Sequence, residues 1–288
     1  MSKIIRIVDF CRFFCRLKIC GTLLLKNSAL FDILGQVSEN ILERRTGACF
    51  LSVFYIRGNM AKKIDVLGIG IDNYTVREEL LLLDTFLSST ALNIIETVTV
   101  EKILLAENNL RMRECIGQAD LTLIGDKELL EPREQVSVQR IREIKNNDFL
   151  YEMIRRVVRN QKRVFLLAMT RVEAEKMQAF FQAENPRFKI EGIYAVEECG
   201  TDLDTIVNEI NGTTPDMVIS SMTSPYEEEF ILDHKDKLSL SIWLGIGADY
   251  NRRSEGLAIG SHVKSLALRG KLYHAMQKYQ KESRENKK

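Results

Sequence analysis

The side chains of this chain that could do chemistry are mostly carboxylates. Asp120-Leu-Thr-Leu-Ile-Gly-Asp126 places Asp126 just past an apolar run of strand length, a position from which a general base reaches a substrate beyond the strand's end. The plainer alternative is a turn acid. Ser224-Pro-Tyr-Glu-Glu-Glu229 follows another such run, and its three successive acids suit either a helix N-terminus or a site for sugar hydroxyls. Asp202-Leu-Asp204 has the spacing of a metal-binding DxD, but it follows Thr201 at an expected helix start. The helix dipole favours acids there with or without a metal, so capping is expected and no metal is assigned. Cys199 precedes Gly200 near the same start, where a thiol pKa could be lowered; with no recognisable base beside it, an inert thiol is expected. Histidine occurs only at His234, His262 and His274, without HExxH or GxSxG, so zinc hydrolysis and a serine triad gain no support. Gly68-Ile-Gly70-Ile-Asp-Asn73 lies where a dinucleotide fingerprint would, but Asn73 replaces the third glycine and Glu96 lies too far on for the usual ribose-binding acid. A tight turn with positive φ is the reading adopted, and no cofactor is expected.

These residues need elements to hold them. Apolar runs at 64–69, 93–98, 121–124, 164–168, 188–193, 217–220 and 238–246 read as strands, separated by stretches of helical period. Several lack in-out alternation, as expected of a parallel sheet covered by helices on both faces. Thr75-Val-Arg-Glu78 and Thr170-Arg-Val-Glu173 are capping boxes, and Thr99 and Thr201 are further N-cap candidates. Each stands just beyond an expected strand, so the helix N-termini gather at the carboxyl edge of the sheet, where such folds bind ligands. The fold class is therefore α/β: a single Rossmann-like domain with a mainly parallel sheet over residues 60–250. The ends of the first three strands, the 224–229 segment and Gly245 to Asp249 are expected to meet at one crevice.

These segments, in order and spacing, resemble the WecG/TagA/CpsF family of bacterial glycosyltransferases across nearly all of residues 60–250. Val66-Leu-Gly-Ile-Gly-Ile-Asp72 looks like the family's opening strand, and Thr97-Val-Thr-Val-Glu101 like its Thr-x-Asn segment before a helix. Ala119 to Asp126 resembles the strand ending in Pro-Asp-Gly, and Val164-Phe-Leu-Leu167 and Pro215-Asp-Met-Val218 match two more strands. Ser224-Pro-Tyr-Glu-Glu228 looks like Gly-x-Pro-Lys-Gln-Glu, and Leu244-Gly-Ile-Gly-Ala-Asp-Tyr250 like the late glycine-rich strand. The resemblance implies inverting, metal-independent transfer of an N-acetylhexosamine, typically N-acetylmannosamine, from a UDP-sugar to a polyprenyl-diphosphate-linked acceptor in cell-surface polysaccharide synthesis. On that resemblance Asp126 is the candidate base, and Thr97, Thr99, Gly125, Glu227, Glu228, Gly245, Gly247 and Asp249 are the candidate substrate-binding set. The chain also departs from the pattern. The family's Asn falls on Thr99, its catalytic Asp on Gly125, and its Gln on Glu227, and the C-terminal Arg-Ala-Pro and Glu-Trp-x-x-Arg motifs are missing. The second reading is a catalytically inactive relative that keeps the fold as a binding or assembly module.

Composition sets the outer limits. At 288 residues, 45% hydrophobic and 28% charged, the chain is globular rather than disordered. A net charge of +1 gives no reason to expect a nucleic-acid partner. No stretch reaches the roughly 18 uncharged apolar residues of a membrane span. Charge is unevenly placed. Residues 1–59 carry nine Lys/Arg against four Asp/Glu and four of the six cysteines, Cys11, Cys15, Cys20 and Cys49. They read either as a basic amphipathic membrane helix with its flank or, the reading adopted, as an extension before a native start at Met60, packing poorly on the domain. Residues 251–288 are expected to form a basic helical segment; 262–288 hold eight Lys/Arg against two Glu. A reversible contact with the anionic inner face of the plasma membrane follows from a lipid-linked acceptor, and the expected location is cytoplasmic. The sequence leaves the oligomeric state open.

Overall fold

The computed structural model describes residues 63–130, 137–248, 250–251 and 259–285. The expectations for residues 1–59 and for Asp249 lie outside the described residues. The described chain opens on two short strands, β1 (Lys63–Val66) and β2 (Ile69–Asp72), paired antiparallel with Val66 opposite Ile69. This corrects the expectation of one strand over 64–69 that opens the parallel sheet. Leu67 and Gly68 have φ of 54° and 76°, and two consecutive positive-φ residues make the two-residue loop whose twist suits a hairpin. The glycine run is thus the tight turn that was expected, but inside a hairpin rather than between a strand and a helix. Leu67 is only 3% exposed, and its burial offsets the left-handed backbone that a leucine disfavours.

The parallel sheet has six strands: β3 (Asn93–Val98), β4 (Leu121–Ile124), β5 (Val164–Ala168), β6 (Ile190–Ala195), β7 (Met217–Ser220) and β8 (Ile242–Gly245). Their order is β4-β3-β8-β7-β5-β6, and every neighbouring pair is parallel. Every residue of β4, β5, β7 and β8 is buried, which is why those runs show no alternation. The run at 188–193 pairs two residues later than expected. The run at 238–246 contributes only Ile242–Gly245, because Leu238 and Leu240 are buried by packing in the approach to the strand, not by pairing.

Helices flank this sheet: α1 (Val76–Phe86), α2 (Val100–Ala106), α3 (Leu110–Gln118), α4 (Val138–Lys145), α5 (Asp148–Arg159), α6 (Arg171–Glu184), α7 (Asp204–Thr213), α8 (Tyr226–His234) and α9 (Ile259–Glu285). Thr75 and Thr170 close capping boxes with Glu78 and Glu173, and Thr99 caps α2. Thr201 does not cap α7; Asp202 accepts the Asp204 N–H at 3.0 Å instead. Phe165, Val218 and Trp243 pack in one core with Ile206 of α7 and Phe230 of α8. A second core joins Val98 and Ile124 to the hairpin, α2, α3 and Leu272 of α9. The described residues form a Rossmann-like α/β domain with a C-terminal helix. No helix among them is long and apolar enough to cross a membrane.

Candidate active site

A crevice opens at the carboxyl ends of β3, β4 and β8. Thr97 lines it from β3, Gly125 from the end of β4, and Leu244, Ile246 and Tyr250 from β8 and its following loop. Glu79 from α1, Arg140 and Glu143 from α4 and Asn147 just before α5 complete the polar lining. Thr97 and Gly125 were expected there. Gly125 is fitted closely: a Cβ on it would lie 2.9 Å from the Thr99 methyl, 3.0 Å from the Thr97 methyl and 3.0 Å from the Val98 carbonyl. Its N–H donates to that carbonyl at 2.8 Å. Asp126, half-buried, turns its carboxylate to the start of α2, where Oδ2 accepts the Val100 N–H at 2.8 Å. Thr99 Oγ1 accepts the Lys102 N–H at 3.1 Å in the same helix start.

The 224–229 segment meets this edge from behind rather than from the crevice wall. Glu227 and Glu228 are fully buried at the start of α8, close to Glu96 of β3 and Lys102 of α2. The Lys102 ammonium lies 2.7 Å from Glu96, 2.9 Å from Glu228 and 3.9 Å from Glu227. Ser224 donates to Glu228 at 2.7 Å and Trp243 Nε1 to Glu227 at 3.3 Å. Three carboxyls around one ammonium cannot all be ionised cheaply in a buried site. Burial, reinforced by the neighbouring Glu96 charge, pushes Glu227 up to about 8. Burial also raises Glu96. Burial would lower Lys102, but Glu96, Glu227 and Glu228 hold it above its usual value. Gly245 lies against this cluster, with Glu227 Oε1 3.0 Å from where a Cβ would stand. Gly247 follows, half-buried with φ of 66°.

The expected meeting of strand ends is therefore partly corrected. The second and third expected strands and the 238–246 run do converge, whereas the first is a hairpin outside the sheet. Glu227 and Glu228 stand beneath the site, held by a lysine.

The sequence reading missed Glu79, Arg140 and Lys102. Arg140 Nη2 lies 2.6 Å from Glu79 Oε1 and Nη1 3.3 Å from Glu143 Oε2, with both Glu79 and Arg140 buried. Burial pushes Glu79 up to about 7 even though Arg140 pulls the other way. Glu79 sits one place past a capping box, and its partner is 61 positions away, so nothing local marks the pair.

Other candidates resolve into structure. Asp204 pairs with Lys237 at 2.5 Å and approaches His234 at 3.6 Å, and His234 stacks on Phe230. Burial raises the Cys199 thiol, opposite to the lowering that its helix-start position suggested. Among the described residues no group of His, Cys, Asp and Glu is arranged to hold a metal ion; the centre of the Glu96, Glu227 and Glu228 trio is occupied by the Lys102 ammonium.

Comparison with known proteins bears on this edge. The model of the glycosyl transferase WecG/TagA/CpsF family matches residues 64–254. Two Staphylococcus aureus proteins, from strains NCTC 8325 / PS 47 and COL, are each 25% identical over 195 residues, covering 66% of this chain and 75% of the relative. Both bear the name N-acetylglucosaminyldiphosphoundecaprenol N-acetyl-beta-D-mannosaminyltransferase.

Proposed function

This chain belongs to the WecG/TagA/CpsF family of glycosyl transferases, and from that premise we propose that it transfers an N-acetylhexosamine of the N-acetylmannosamine type. The donor is a UDP-sugar and the acceptor a sugar on a polyprenyl diphosphate, with inversion at the anomeric carbon. The observation that carries this reading is the crevice itself. It lies at the carboxyl edge of a parallel sheet inside the matched region, and Thr97 and Gly125 line it. Such an edge collects helix N-termini, which favour the diphosphate of the donor. The reaction needs a base for the acceptor hydroxyl and fixed donors for the departing diphosphate. Glu79, Asp126 and Glu143 are carboxylates that the fold brings to this edge. Glu227 and Glu228 act from beneath, fixing α2 and α8 through Lys102 rather than holding donor hydroxyls directly.

The acceptor's lipid places the reaction at a membrane surface, and α9 is the element suited to meet it. Leu266, Gly270 and Tyr273 lie exposed along one stripe, with Lys271 and Lys281 exposed nearby. The test is direct. The purified chain is incubated with UDP-N-acetylmannosamine and a short-chain lipid diphosphate bearing N-acetylglucosamine, and the product is weighed by mass spectrometry. Gain of one N-acetylhexosamine with release of UDP is expected. No product, together with no thermal shift from any UDP-sugar, would reject the reading.

A further inference from the structure

We propose, resting on the transfer reading above, that Glu79 on the first turns of α1 takes the proton of the acceptor hydroxyl, with Arg140 of α4 as its positioning residue. Three observations at the crevice lead there. Gly125 closes β4 so tightly against the Thr97 and Thr99 methyls and the Val98 carbonyl that no side chain fits at that position without a shift. Asp126, the next residue, spends Oδ2 on the Val100 N–H, and turning it towards a substrate would give up that bond at a helix start. Glu79 lines the crevice beside Thr97 and Gly125, is 2% exposed, and has Oε1 held 2.6 Å from Arg140 Nη2.

The arrangement around Arg140 suits a group that changes charge. The guanidinium forks between Glu79 and Glu143, so it keeps one carboxylate when the other becomes neutral. Its Nε is buried without a hydrogen-bond partner, which leaves the cation a donor to spare. Among the described residues, the groups facing Glu79 are few. Arg140 and Glu143 come from α4 and Glu78 from α1 itself, and β4 offers the apolar Leu123 and Ile124. The charged contact of α1 with α5 is the Arg156 pair with Asp84. Burial sets the proton affinity of Glu79 near pH 7, with Arg140 lowering it and Glu143 and Glu78 raising it. A base works best when its pKa lies near the operating pH.

The step balances. The acceptor oxygen bonds to the anomeric carbon as the bond from that carbon to the diphosphate oxygen breaks, and the electron pair leaves with the diphosphate. The hydroxyl proton passes to a Glu79 oxygen and is later lost to water.

The experiment measures kcat/KM between about pH 5.5 and 9 for the full chain, E79Q, E79D, D126N and R140Q, with UDP affinity by calorimetry. The wild type should show an acid limb centred near pH 7. E79Q should lose at least about 100-fold in kcat while holding UDP within about threefold, because only the proton acceptor is removed. R140Q should move the acid limb to higher pH, since it removes the cation that favours ionised Glu79; a purely structural role for the pair would leave the limb in place. E79D keeps a carboxylate and should retain the limb at a lower rate, and it serves if E79Q does not fold. The assignment is overturned if E79Q turns over within about threefold of wild type, if the limb stays put in R140Q, or if D126N abolishes turnover and E79Q does not. A wild type that binds and turns over no UDP-sugar rejects the transfer reading itself, and Glu79 with it.

Discussion

Glu227 shows how one buried proton sets a pH dependence. Its carboxyl is raised from the ordinary 4.5 to about 8, so between those values the folded chain keeps a proton that the unfolded chain gives up. Stability therefore falls as pH rises through that window, by up to about 1.4 kcal/mol per pH unit for one such group. Glu79 adds to the fall between 4.5 and about 7. E227Q supplies a permanently neutral group, so its urea midpoint should vary less than that of wild type between about pH 5 and 8. A slope equal to that of wild type would show that Glu227 is ionised in the fold. Lys102→Met removes the ammonium shared by three buried carboxyls. It should cost about 3–5 kcal/mol at neutral pH, with part recovered in acid as the carboxyls protonate; chemical denaturation at two pH values measures both. At this scale the sequence exposes only residues that sit in motifs. Thr97, Gly125, Glu227 and Glu228 stand out as letters at strand ends, whereas Lys102 reads as an ordinary helix lysine and Glu79 and Arg140 as solvated charges. What distinguishes these three is burial against distant partners, and that is decided by packing.

Among the elements, α2 depends most on its ends. It has seven residues, Val100–Ala106, too few to be stable without support, and two groups serve its start: Thr99 on the Lys102 N–H and Asp126 on the Val100 N–H. Thr99→Ala should cost about 1 kcal/mol, and because Lys102 rides on this helix it should also disturb the carboxylate cluster; a lower melting temperature with a changed pH slope is the expected pair of results. Gly125→Ala tests the other side of the same joint. Its Cβ would meet two methyls and a carbonyl at about 3 Å, so a loss of about 1–3 kcal/mol is expected, read from the denaturant midpoint. Helix starts were legible because capping is local: Thr75, Thr99 and Thr170 all cap where the spacing says. Thr201 was misread because Asp202, one residue on, offers a stronger acceptor. The β1–β2 hairpin was not legible. Its turn is Leu-Gly rather than the Asn-Gly or Asp-Gly that announces such loops, and the leucine is held at positive φ by burial that only the assembled core supplies.

At the scale of the molecule, α9 joins the second core while carrying six Lys/Arg against two Glu. Leu272 and Ala275 are buried against that core, and Lys278 reaches Glu107 at 3.0 Å. Leu272→Ala should cost about 2–4 kcal/mol, seen as a lower melting temperature. The proposed membrane contact predicts reversible sedimentation with anionic vesicles, weakened by salt and by replacing Lys271, Lys281 and Arg284 with Gln, at on the order of 1 kcal/mol per residue. Equal binding to neutral and anionic vesicles would remove α9 from that role. The parallel sheet itself was legible from the unbroken apolar runs, but its strand order was not, because order is set by which helices cross which face. The hairpin's displacement from the sheet has one more consequence. β4 ends the sheet, and the outer side of such a strand is a template on which other chains can add. Asp72 of the hairpin occupies that side, taking the Thr122 N–H and hydroxyl at 3.0 Å each while its own N–H donates to Thr122 Oγ1 at 2.6 Å. The glycine segment whose pattern suggests a nucleotide site thus ends in an edge-blocking residue, and Asp72→Ala should raise light scattering on mild heating before the far-UV signal of the sheet is lost.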